Sequence, residues 1–68
     1  MNVVVNGDDR VVDAGATIAD LVAQLGHRPS GPGVAAALNG EVVRRVEWPS
    51  TPLGEGDRLE ILAATQGG

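Results

Sequence analysis

The sequence predicts an α+β domain, with one amphipathic helix laid across one face of a mixed sheet of about five strands. Three observations carry that expectation. Short stretches that alternate at period two lie near both ends of the chain, the first dominated by β-branched residues. A single apolar stripe of helical period lies between them. An Asn39-Gly40 pair then separates two more strand-like runs, which is a strong short hairpin signal. With 68 residues there is room for one domain only.

The elements follow in order. Val3 and Val5 alternate with Asn2, Val4 and Asn6, giving a first strand. Gly7-Asp8-Asp9 carries turn chemistry, and residues 10–14 return as a second strand, with Val11 and Val12 β-branched. Thr17 is placed to cap a helix, with Asp20 three residues on as an acidic capping box. Ile18, Leu21, Val22 and Leu25 fall at i, i+3, i+4 and i+7, one face of that helix. Gly26 stands where a left-handed residue ends a helix, and Pro29 lies beyond it. A stripe this short does not hold alone and must lie on a sheet.

Residues 27–33, rich in Pro and Gly, form a loop across the sheet. They lack the Lys that a Walker phosphate loop requires. His27, just past the helix end, reads as a helix-end or surface residue. Residues 34–44 form a second hairpin around Asn39-Gly40. Val46-Glu47-Trp48-Pro49 has no period and is expected to be irregular. Trp48, the single aromatic residue, reads as a lid on the core, and Leu53 as an anchor of the same crossing segment. Gly54-Glu55-Gly56-Asp57 is a turn. In the last strand Leu59, Ile61 and Ala63 share one face; Arg58, Glu60 and Leu62 share the other.

Composition excludes several functions. There is no Cys, so neither disulfides nor thiol chemistry can arise here, and one His leaves no credible metal site. The net charge of −4 and the lack of an aromatic platform argue against nucleic acid. No apolar run approaches the ~20 residues of a membrane span. The start at Met1 has no signal-peptide character, so the chain is expected to be cytoplasmic. Ser30 and Ser50 have no His nearby in sequence, and Asp8-Asp9 reads as a solvated turn, so no catalytic constellation stands out. The cations are all Arg, with no Lys to accept an isopeptide bond.

The chain ends Gln66-Gly67-Gly68. Two residues without Cβ make a thin strand end that can thread a narrow cleft. Its carboxylate, ionised near neutral pH, is an oxygen nucleophile that a nucleotide-bearing partner could activate. Residues 1–63 are therefore expected as the domain and residues 64–68 as a flexible tail, reaching at most ~17 Å when extended. The face of the sheet away from the helix is left open. Val4 and Leu62 should emerge there, with Ala37 as a smaller contributor. They are candidates for partner docking, or simply isolated exposed apolar residues.

This order of elements resembles the ubiquitin-like β-grasp fold, and more narrowly the ThiS family of bacterial sulfur carriers. The residues that carry the resemblance are Leu38-Asn39-Gly40-Glu41-Val42-Val43, Arg45, Trp48 and Leu53. Gly56-Asp57-Arg58-Leu59-Glu60-Ile61-Leu62 and Ala64-Thr65-Gln66-Gly67-Gly68 complete it, with Asn6-Gly7 and Thr17-Ile18 also fitting. Arg44 stands where such chains often have Pro, and Thr65 where an aliphatic residue is common. The resemblance implies a protein co-substrate for thiamine thiazole biosynthesis, with no catalytic residues of its own and no stably bound cofactor. An E1-like partner, ThiF in that family, would adenylate Gly68 with ATP and Mg²⁺. Thr65, Gln66 and Gly67 would enter that partner's site. A sulfur donor protein would convert the adenylate to a thiocarboxylate, and thiazole synthase, ThiG, would receive the sulfur. The free chain is expected to be a monomer. A MoaD-like carrier for molybdopterin, a ubiquitin-like protein modifier and a TGS-like interaction module share parts of this pattern.

Overall fold

The computed structural model describes residues 1–29 and 31–64. It contains β1 (Asn2–Val5), β2 (Asp8–Val11), α1 (Ile18–Gln24), β3 (Val34–Leu38), β4 (Glu41–Val43) and β5 (Arg58–Ala63). The five strands form one sheet in the order β2-β1-β5-β3-β4. β5 lies at the centre, parallel to β1 and antiparallel to β3. The sheet is thus mixed, as the order of elements predicts. Of the expected flexible tail, residues 64–68, Ala64 is described and its amide bonds the Gly33 carbonyl; Thr65, Gln66, Gly67 and Gly68 lie outside the described residues.

The first turn differs from expectation. It is Asn6-Gly7 alone, with φ of 50° and 85°, the two positive values that a tight type I′ turn requires. Asp8 therefore belongs to β2 and pairs with Val5, and Asp9 pairs with Val4. These acids line an exposed edge strand rather than a turn, and β2 ends at Val11. The second hairpin has the same turn type, with Asn39 at 51° and Gly40 at 87°.

The helix forms as its caps dictate. The Thr17 hydroxyl accepts from the Asp20 amide at 3.2 Å, and the Asp20 carboxylate accepts from the Thr17 amide at 3.0 Å. Such a box stabilises a helix start by about 1 kcal/mol. At the other end the His27 amide donates to Val22 and the Gly26 amide to Ala23, a Schellman closure with Gly26 in the left-handed region. Ile18, Leu21 and Val22 are fully buried. They meet Val3, Val5, Ala36, Leu59 and Ile61 of the sheet in one core.

The segment expected to be irregular is a 3₁₀ helix, Arg45–Ser50. It has no 3.6 period to announce it, and Pro49 sits inside it. Side chains hold its end: the Ser50 and Thr51 hydroxyls both donate to the Glu47 carbonyl. It drives Trp48 into the core, 1% exposed, with its indole N–H donating to the Val43 carbonyl at 2.9 Å. Leu53 is buried beside it. The Ile18 amide bonds the Thr51 carbonyl and the Leu53 amide bonds the Ala16 carbonyl, so the crossing segment is tied to the start of the helix.

Candidate functional site

β5 is the element that leads to the C-terminal residues, and its backbone is held from both sides by side chains. At its start the Asn39 side chain accepts from the Arg58 amide at 2.9 Å and donates to the Asp57 carboxylate at 3.1 Å. Asp57 in turn accepts from the Gly54 amide at 2.7 Å, closing the preceding turn. Farther along, the Asn6 side chain accepts from the Ile61 amide at 2.8 Å and donates to the Ile61 carbonyl at 3.2 Å. Asn6 follows the last residue of β1, so its amide group continues the β1–β5 ladder after the main chain of β1 has turned away. Each turn Asn thus does two jobs: it accepts the positive φ of the turn and pins the central strand.

At its far end β5 pairs Ala63 with Val34. The Ala64 amide then bonds the Gly33 carbonyl. Gly33 has φ of 81°, so any larger residue there is strained by its backbone, and its Cβ would stand in contact with Ala64 at 3.4 Å. A shallow groove of about 410 Å³, lined by Gly33, Val34, Ala35, Leu62, Ala63 and Ala64, surrounds this last stretch.

The sheet face away from α1 is uncovered among the described residues. Leu62 is there, 72% exposed. Val4 and Ala37 are on the same face and half-buried. The register decides which of the candidates meet. Ala37 stands opposite Glu60, and Leu62 opposite Ala35. Val4 stands opposite Arg58, four residues from Leu62 along β5, about 13 Å at strand rise. The three expected docking residues therefore share a face without forming one continuous patch. Leu62 has Ala35 as its apolar neighbour, while Arg58 and Glu60 divide it from Val4. Sequence reasoning missed Ala35, and also Val11 and Val42, which are exposed on this same face. Ala35 and Val11 each adjoin a buried residue, Ala36 and Val12, and that alternation is the signal that could have placed them; Val42 lies between exposed Glu41 and half-buried Val43 and carries no such signal.

Among the described residues no group of three His, Cys, Asp or Glu side chains could hold a metal ion. No helix among them is long and apolar enough to cross a membrane. What the site offers is a strand bonded by side chains along its length, a half-apolar open face and, at Ala64, a main chain still held by the Gly33 carbonyl.

A five-stranded mixed sheet with a central final strand and one helix across it is the ubiquitin-like β-grasp architecture, here followed by a Gly67-Gly68 end. The model of the ThiS family matches residues 3–68. The sulfur carrier protein ThiS of Thermus thermophilus is 36% identical over 63 residues, 93% of this chain and 94% of that protein. The crystal structure of the thiamine biosynthesis protein ThiS from Geobacter metallireducens superposes with a TM-score of 0.77 at 33% identity, covering 100% of both chains. A solution structure of a thiamine biosynthesis protein from the same organism gives a TM-score of 0.81 at 31% identity, covering 100% of this chain and 88% of that one. The chain belongs to the ThiS family.

Proposed function

We propose that this protein is a sulfur carrier for the thiazole of thiamine, acting as a co-substrate rather than an enzyme. In this reading an E1-like, ThiF-like adenylyltransferase uses ATP and Mg²⁺ to join the Gly68 carboxylate to AMP, releasing pyrophosphate. The outer sulfur of a donor protein's persulfide then attacks the acyl carbon and displaces AMP, giving an acyl disulfide. A thiol outside this chain, which has no Cys, reduces that S–S bond to free the thiocarboxylate and is itself oxidised to a disulfide. A ThiG-like thiazole synthase takes that sulfur. Thr65, Gln66 and Gly67 thread the partner's site, and the cycle belongs to the cytoplasm, where ATP is supplied.

The observation that supports this most is family membership that runs through residue 68, together with a central strand pinned on both sides just before the Gly-Gly end. A rigid root with a thin end suits delivery of one acyl carbon into another protein's active site, where fixed geometry supplies much of the rate. The chain has no Cys, so the sulfur must come from outside. The open face, with Val4, Ala37 and Leu62, and with Ala35 beside Leu62, is the surface proposed to dock. The nine acidic residues against five Arg suit a partner with a basic rim.

ATP–pyrophosphate exchange with a ThiF-like enzyme tests the reading. The full chain should support exchange, and a chain lacking Gly67-Gly68 should bind without supporting it. Equal exchange by both chains would refute the assignment of Gly68.

A further inference from the structure

We infer that Arg45 is a positioning residue, which anchors the first residue of β3 to the buried Trp48 and so sets where β5 releases the C-terminal segment. The inference deepens the carrier reading and rests on it for its catalytic consequence.

The starting point is a strand that stops early. β4 pairs Val43 with Ala36. Continued for two more residues in the same register, it would set Arg45 opposite Val34. The chain instead turns into the 3₁₀ helix at Arg45, so Val34 has no strand partner on that side. The Arg45 side chain takes the missing place. Its guanidinium donates to the Val34 carbonyl at 2.9 Å, and its central carbon lies 5.2 Å from the centroid of the Trp48 ring.

Both contacts suit Arg and not Lys. A planar guanidinium can stack on an indole while it donates in its own plane; an ammonium is a compact point charge without a face. The stack also rests on a fixed base, since Trp48 is 1% exposed and its own N–H is bonded to Val43. Arg45 thereby links the core to the edge of the β3–β5 ladder at its last pair. Val34 faces Ala63 across that ladder, and the preceding Gly33 holds the Ala64 amide. A shift of Val34 would shift both residues from which the C-terminal segment departs. In an adenylating partner's site, where the carboxylate oxygen must meet the α-phosphorus of ATP within a narrow tolerance, a displaced root lowers turnover without changing how the sheet face docks.

The test compares wild type with Arg45→Gln, Arg45→Lys and a control, Thr17→Ala, which removes a helix cap on another part of the domain. The cap loss lowers Tm by about 4–8 °C, enough to expose any effect of lost stability alone. Amide hydrogen exchange of the free protein is the first readout. Arg45→Gln should speed exchange at Ala64 about tenfold or more while Ile61 keeps its protection, and Thr17→Ala should leave that ratio as in wild type. Adenylation by a ThiF-like enzyme that accepts the wild-type chain is the second. Arg45→Gln should lower kcat about tenfold with KM within about twofold, Arg45→Lys should fall between, and Thr17→Ala should match wild type. Unchanged exchange at Ala64 in Arg45→Gln would overturn the clamp. A kcat loss equal in Thr17→Ala, or an effect confined to KM, would overturn the positioning role. If no such enzyme accepts the wild-type chain, the carrier reading fails, and exchange at Ala64 decides the clamp by itself.

Discussion

The two faces of β5 differ in what they are used for. Leu59 and Ile61 point to the helix and are 1% and 6% exposed. Glu60 and Leu62, their sequence neighbours, point away, and Leu62 is 72% exposed. One strand therefore holds the domain together with one set of residues and keeps the other set outside the core. The lesson is that stability and recognition can be separated at single-residue spacing, because successive strand side chains project to opposite sides. A residue changed on one face should be read out mainly as stability. A residue changed on the other should be read out mainly as partner use.

The largest break in that comparison is Leu59→Ala. It removes a fully buried side chain and should cost about 2–5 kcal/mol, seen as a lowered denaturation midpoint. For a domain of this size that loss is a large share of its total stability. Next comes Asn6→Ala or Asn39→Ala, each expected to cost about 1–3 kcal/mol, because each loses its bonds to β5 and places a Cβ-bearing aliphatic residue at positive φ. Asn6→Gly should recover part of the turn cost without recovering the bonds to Ile61, which separates the two contributions in the same chemical denaturation series. The smallest effect on stability belongs to Leu62→Asp, within about 0.5 kcal/mol. On the carrier reading the same change should raise KM for an adenylating partner about tenfold, as truncating a docking contact does. A large stability loss from Leu62→Asp, or unchanged KM, would erase the division between the faces.

The same contrast shows what could be read without coordinates. Elements with a period were legible: the helix from Ile18, Leu21 and Val22 with its Thr17 cap, β5 from its alternation, and the second hairpin from Asn39-Gly40. The burial of Trp48 and Leu53 followed from their size and setting. Errors arose where signals competed or were absent. Asp8-Asp9 added turn chemistry to a turn already complete at Asn6-Gly7, which moved the expected start of β2. The 3₁₀ helix has no period to find. Register was beyond reach, because it is set by pairing between distant segments, so the separation of Val4 from Leu62 could not be seen. The contacts of Arg45 with Val34 and Trp48 depend on where β4 stops, which is likewise a property of the folded sheet. Gly67-Gly68 was legible because it is a matter of composition and place in the chain.

The central claim is that this domain presents its last carboxylate for sulfur loading. The most direct measurement is the intact mass of the chain after incubation with a ThiF-like enzyme, ATP, Mg²⁺, a persulfide donor and a thiol reductant, followed by mapping of the C-terminal peptide. The account predicts a gain equal to one sulfur replacing one oxygen, confined to the peptide that ends in Gly68 and absent when ATP is withheld. A mass left unchanged under conditions that load a known ThiS protein, or a gain located on any other peptide, would contradict it.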